Sequence, residues 1–201
     1  MNSISRKLMK ALFFVFLFVN ICYAESSVEL KKEYYPNGKI KRETPYIDGK
    51  MNGIAKAYYP NGKLFSEMQY KYGKVQGVYK SYYETGELAS EVPYVNDRKH
   101  GLAKRYSQDG KVIHEVPCEN GKCNGLEKWY YPSGKLLAEW PHKEGKLEGI
   151  RKGYYENGSL MYEVLYEGGN VVSGSKKCYE QNGQLIKDCP YVPFTIPPQE
   201  W

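Results

Sequence analysis

Between residues 30 and 189, short runs of alternating apolar and polar positions are separated by turn dipeptides, and the whole pattern returns every 24 residues. Lysine keeps the step at Lys32, Lys56, Lys80, Lys104, Lys128, Lys152 and Lys176. Glutamate keeps it at Glu43, Glu67, Glu91, Glu115, Glu139 and Glu163, and tyrosine at Tyr34, Tyr58, Tyr82, Tyr106, Tyr130 and Tyr154. A period of about 20 to 50 residues denotes an array of supersecondary units, none of which buries its apolar surface alone. Period-two alternation makes the pieces strands. The pattern therefore predicts an all-β fold, an elongated single-layer antiparallel sheet of tandem β-hairpins.

The unit from Gly53 to Gln76 shows how the pieces connect. Asn61-Gly62 lies between two apolar runs and predicts a two-residue type I′ loop, which needs positive φ at both central residues. With that loop Tyr59 faces Leu64, Tyr58 faces Phe65 and Lys56 faces Glu67. The same counting sets Lys32 against Glu43, Lys80 against Glu91, Lys104 against Glu115, Lys128 against Glu139 and Lys152 against Glu163. Each pair contributes about 0.2 to 1 kcal/mol, and together they fix register, since a one-residue slip breaks all of them. A second turn is expected at Gly73-Lys74, echoed by Gly49-Lys50, Gly121-Lys122 and Gly145-Lys146, giving two strands and two turns per unit.

Alternation sorts the side chains onto two faces. One carries the Lys–Glu ladder with Tyr58 and Phe65, Tyr82 and Ala89, Tyr154 and Met161, and varies little. The other changes from unit to unit: Tyr59, Leu64 and Met68, then Tyr83, Leu88 and Val92, later Trp129, Tyr131, Leu136 and Trp140, and finally Tyr155, Leu160, Tyr162 and Val164.

The Tyr-Tyr-Pro-x-Gly-Lys-Leu core followed by Glu, Tyr and Gly-Lys-x-x-Gly, as in Tyr58 to Gly77 and Tyr130 to Gly149, resembles the MORN-variant repeat over about six and a half units. The resemblance implies consecutive antiparallel hairpins in one long, twisted sheet. Asp97-Arg98 departs from it at the second turn, and Gln181 reads as a one-residue insertion ahead of Asn182-Gly183. Members of the family are sometimes labelled antitoxin components, and the related shorter repeat has been linked to membranes.

The ends set the expected compartment. Arg6, Lys7 and Lys10, an apolar run from Ala11 to Val19 and the Cys22-Tyr23-Ala24 motif read as a signal peptide over 1–24, cleaved after Ala24. The repeat domain then spans 25–189, and the proline-rich tail 190–201 reads as a cap on the last edge strand. The mature chain has 26 basic and 23 acidic side chains, a balance of +3 that gives no reason to expect nucleic acid. An exported, periplasmic or extracellular protein favours disulfides. Four cysteines allow three connectivities. The two local pairs, Cys118 with Cys123 and Cys178 with Cys189, lie more than two units apart, which selects local bridges.

No catalytic motif, no metal-ligand spacing and no cofactor signature appears, so no enzyme and no cofactor is expected. His100, His114 and His142 share no repeat position, and His142 fills a slot held elsewhere by tyrosine or by Cys118. The expected function is protein binding through the variable, aromatic face, with Trp129, Tyr131, Trp140, Tyr155 and Tyr162 as the candidate surface. Binding of cell-wall carbohydrate is the alternative, supported by coplanar open rings and opposed by rings tilted into packing. An immunity-type binder of an exported toxin is a version of the first reading, and membrane association after signal cleavage is not expected.

Overall fold

The computed structural model describes residues 27–189. The expected signal segment and the proline-rich tail lie outside the described residues. Every described strand, from Glu29–Tyr34 to Leu185–Ile186, joins one open antiparallel sheet of 20 strands, with no helix among the described residues. In each unit but the last a six-residue strand pairs with an eight-residue strand, as Gly53–Tyr58 does with Leu64–Lys71, and in the last Lys177–Tyr179 pairs with Leu185–Ile186. The long strand then pairs with Lys74–Val75 and, further along, with Gly77–Tyr82 of the next unit.

The type I′ geometry expected at the Asn-Gly turn is found at the second turn instead. At the Asn-Gly turn, Gly62 N donates to Tyr59 O at 2.8 Å and Tyr59 N donates to Lys63 O at 2.8 Å. Pro60 and Asn61 are thus the central residues, and only Gly62 that follows them has positive φ, +95°. Proline's fixed negative φ at the first central position forbids the type I′ turn. The mirror-image turn occurs instead at the second hairpin, where Tyr72 and Gly73 have φ of 51° and 84°, as do Asn120 and Gly121 at 52° and 87°. The departure at residues 96–97 keeps this geometry, with Asn96 and Asp97 at 49° and 66°.

The longer loop is compensated by a β-bulge. Tyr58 pairs with Leu64, but Ala57 pairs with Ser66, so Phe65 has no opposite residue. The lysine–glutamate facings are therefore the expected ones although the loop is not. The bulge also corrects the face assignment. Leu64, Leu88, Leu136 and Leu160 stand opposite the ladder-face tyrosines. Phe65 meets the Tyr59 ring edge-on at 5.1 Å, and Met161 packs against the buried cluster of Tyr162, Val164 and Cys178.

A second bulge separates the two-residue strand from the next six-residue one. Gly125 sits there with φ +111°, and a Cβ on it would lie 2.9 Å from the Pro117 ring, so conformation and space both demand glycine. In the last unit Glu163 faces Lys177 rather than Lys176. The extra residue thus lies between Val172 and Lys177, and Gln181 occupies the ordinary proline position of a regular turn, with Gly183 N donating to Glu180 O.

On the regular face the ladder runs unbroken from Lys32 to Lys177, because each glutamate also faces the lysine of the following unit, as Glu43 faces Lys56. Nitrogen and oxygen come within 4.0 Å at Lys32–Glu43 (3.1 Å), Lys80–Glu91 (3.9 Å), Lys104–Glu115 (3.7 Å) and Lys177–Glu163 (3.1 Å). Beside it runs a row of exposed aliphatics, Leu30, Ile54, Val78, Leu102, Leu126 and Ile150. The units are stapled by the Tyr-Tyr pair. The first tyrosine reaches back, Tyr58 Oη to Glu43 and Tyr106 Oη to Glu91, both at 2.8 Å. The second reaches forward, Tyr59 Oη to Tyr82 O at 2.8 Å and Tyr83 Oη to Tyr106 O at 2.6 Å.

The buried residues gather on the variable face in two small clusters. One holds Val92, Ala103, Val116 and Cys118, and the other Tyr162, Val164 and Cys178. A single-layer sheet has no second layer, so side chains must shelter one another laterally, which large residues in adjacent rows do best.

Candidate functional site

Cross-strand register assembles one polar and aromatic cluster from three strands of two adjoining units. Strand Val112–Glu119 brings His114, the adjoining Gly125–Tyr130 brings Glu127 and Trp129, and Leu136–Lys143 brings Trp140 and His142. His114 is opposite Trp129 across the seam between units, and Glu127 is opposite Trp140 within the next. All of them are on the variable face.

Glu127 is the hub. His114 Nε2 donates to its Oε1 at 2.7 Å, the Trp129 indole N–H donates to the same oxygen at 2.9 Å, and His142 Nε2 donates to Oε2 at 2.6 Å. The carboxylate is 7% exposed and His114 is fully buried. Burial alone would raise the carboxyl's pKa. The hydrogen bonds and charges of the two imidazoles outweigh it and bring Glu127 down to about 2. An ionised carboxylate only accepts, which fixes both imidazoles with the proton on Nε2.

The aromatic rings stack outward from this hub. His114 lies on Trp129 with centroids 3.8 Å apart and planes 23° apart, and Trp129 contacts Trp140 at 5.7 Å and 45°. The Arg151 guanidinium lies 4.1 Å from the Trp140 ring centre and 5.7 Å from that of Tyr162. Tyr162 is buried, its ring over Gly153, where a Cβ would come within 2.1 Å of it.

Of the residues expected to form a surface, the structure brings Trp129, Trp140 and Tyr162 into one line. Tyr131 and Tyr155 act as forward staples, each donating at 2.8 Å, to Tyr154 O and Tyr179 O. Sequence reasoning missed Glu127, His114, His142 and Arg151. The available signal was that each breaks its own 24-residue column, beside Ala55 and Tyr79, Ser66 and Ser90, Tyr70 and Tyr94, and Ala55 again.

The cysteines divide. Cys178 and Cys189 are disulfide-bonded. The expected bridge between Cys118 and Cys123 is not formed: the two residues face each other across the Asn120-Gly121 turn and carry free thiols. Backbone pairing at Glu119–Lys122 and the bond from Asn124 N to Pro117 O hold the two strands in register without it. Among the described residues, no group of three or more His, Cys, Asp and Glu side chains is placed to hold a metal ion.

This fold defines a tandem-hairpin β-sheet repeat protein. The chain belongs to the MORN repeat variant family, whose model matches residues 30–48, 51–72, 75–96, 99–122, 124–144 and 147–167. Such repeats form scaffolds for binding and are generally not enzymes. No curated protein matches the chain. A crystal structure of an S. aureus TarM mutant with fondaparinux, alpha-GlcNAc-glycerol and UDP is 11% identical over 59% of this chain and 19% of that one. Its TM-score of 0.28 carries no argument about fold or function.

Proposed function

We propose that the chain is an exported, non-enzymatic scaffold that binds a protein partner on its variable face, centred on Trp129, Trp140 and Arg151. The observation that supports this reading is the arrangement of the rings. The Trp129 and Trp140 planes are 45° apart, one resting on His114 and the other under Arg151. Stacking on successive sugars needs coplanar, open rings, and this arrangement opposes it. A rigid aromatic and arginine patch, held from below by a fully bonded carboxylate, is the kind of surface that loses little entropy on docking a protein.

The test is cross-linking of the native protein in its own envelope fraction. Three forms are compared: wild type, Trp140→Ala/Arg151→Ala, and Leu102→Ser/Leu126→Ser on the opposite face. One discrete protein captured by wild type and by the leucine variant, and lost from the Trp–Arg variant, is the expected result. Capture unaffected by the Trp–Arg variant, or retention on cell-wall glycan with no protein captured, overturns it.

A further inference from the structure

The two cysteine pairs of this sheet are treated differently by their surroundings. Cys178–Cys189 joins the last hairpin to the segment after it. Cys118 and Cys123 lie in mid-sheet, on the face that carries Glu127 and His142. We propose that Cys118 and Cys123 form a thiol–disulfide exchange site for a disulfide presented at the variable face.

The pair is asymmetric in the way such chemistry needs. Cys118 is buried in the cluster with Val92, Ala103 and Val116, whereas Cys123 stands half-buried at its rim. An approaching sulfur therefore meets Cys123 first. Three other ionisable groups act on the pair. His142 from the following strand and Lys99 from the preceding hairpin favour a thiolate on Cys123, and the Glu127 carboxylate opposes it. The largest influence is the neighbouring thiol: a hydrogen bond from Cys118 pulls Cys123 down to about 6, against the effect of burial. The same bond and burial push Cys118 up, so the rim sulfur holds the charge and the inner sulfur the proton. Tyr94, packed against Cys118, completes the titratable surroundings.

The exchange balances without another reactant. The Cys123 thiolate attacks one sulfur of the partner's disulfide; that S–S bond breaks, and its electron pair leaves on the second partner sulfur, which takes a proton from water. Cys118 then loses its proton to water and attacks Cys123 Sγ, and the mixed disulfide breaks to release the first partner sulfur as a thiolate. Two electrons pass to the partner, whose disulfide becomes two thiols while Cys118–Cys123 becomes oxidised. The reverse sequence oxidises a partner dithiol. The hairpin holds both sulfurs opposite each other in either state, so the sheet need not open.

The purified full chain, its Cys178–Cys189 bond verified by peptide mapping, is reacted with two probes. These are oxidised glutathione and a linear peptide bearing one mixed disulfide, followed by mass. Cys118→Ser is expected to accumulate one adduct on Cys123. Cys123→Ser is expected to form its adduct on Cys118 at least about tenfold more slowly, because Cys118 is buried where Cys123 stands at the rim. Wild type passes to the internal bridge and releases both partner thiols, and reduced glutathione reopens it. Equal rates in the two variants, with unchanged circular dichroism, overturn the proposal. So does a wild-type bridge that reduced glutathione cannot reopen, which marks an inert staple. Reaction with glutathione but not with the peptide assigns the site to a small-molecule disulfide, and faster reaction with the peptide assigns it to a polypeptide one.

Discussion

The units over residues 53–95 and those over 101–167 share one backbone and differ in what covers it. In the first stretch the variable face carries Ala55, Ala57, Ser66, Ser81 and Ser90, and of residues 53–95 Val92 alone is buried. A hollow of about 310 Å³ lies open between Phe65, Tyr79, Tyr83 and Tyr94. In the second stretch the same rows carry Glu127, Trp129 and His114, with Trp140 in the row of Met68 and Val92, and Ala103, Val116 and Ala138 are buried. Ladder, turns and tyrosine staples are common to both. The sheet's form therefore comes from the repeated residues, while its local solidity comes from those that do not repeat, as expected where each unit contacts only its neighbours.

The largest break in that difference is Glu127→Ala. Two imidazole donors and an indole donor would lose their acceptor in a buried place, a loss of about 3 to 5 kcal/mol. The equivalent position in the second unit is already Ala55, so the substitution asks nothing new of the backbone. Hydrogen exchange should accelerate across residues 112–143 and stay unchanged across 53–71. Uniform acceleration, or none, would show that the cluster does not set local stability.

Gly153→Ala attacks the other end of the cluster. The added Cβ meets the Tyr162 ring, and the overpacking should cost about 1 to 3 kcal/mol. Its equivalents are Ala57 and Ser81, so the demand for glycine comes from Tyr162 and not from the strand. In a Tyr162→Leu background most of that cost should disappear; if it persists, the backbone reading is the right one.

Acid and alkali separate the two regions in a different way. Glu127 is depressed to about 2, so its stabilising contribution is full above the unfolded carboxyl pKa near 4.5 and is lost as pH falls towards about 2. Residues 112–143 should lose protection in that window before 53–71 do, and Glu127→Gln should abolish the lag. Tyr58, Tyr82, Tyr106, Tyr130 and Tyr154 are raised to about 12, by burial first and by the bond to the ladder glutamate second. Their contribution is full below the ordinary tyrosine value of about 10 and is lost between about 10 and about 12. Because the tyrosines recur, alkali should weaken both regions together.

What could be read from the chain follows the same division. The repeat fixes the sheet and the lysine–glutamate facings, because those residues recur and their spacing is insensitive to loop detail. The turn type was misread at Asn61-Gly62 because Pro60 takes a central position, and the bulge at Phe65 then restores the register. The Glu127 hub was illegible for the opposite reason. Its parts are 13 and 15 residues apart and each occurs once, so periodicity treats them as exceptions. Laying the exceptions of neighbouring columns side by side in register would have revealed the cluster. The face carried by the bulged residues needed the hydrogen bonds themselves.

The smallest effect concerns one seam. The forward staple occurs at Tyr35, Tyr59, Tyr83, Tyr131 and Tyr155, but the fourth unit has Ser107, whose hydroxyl bonds locally to Asp109 and Lys111 O. The carbonyl it leaves out is that of Tyr130, across the seam that His114 bridges to Glu127. Non-recurrent packing there does the work that a recurrent residue does elsewhere. Ser107→Tyr should add about 0.5 to 1 kcal/mol in wild type, the value of one net hydrogen bond. In the Glu127→Ala background, hydrogen exchange across 112–143 should slow by a larger factor, since the added staple then carries the seam alone. An equal gain in both backgrounds would mean that staple and cluster act independently, and that the seam is no weaker without Glu127.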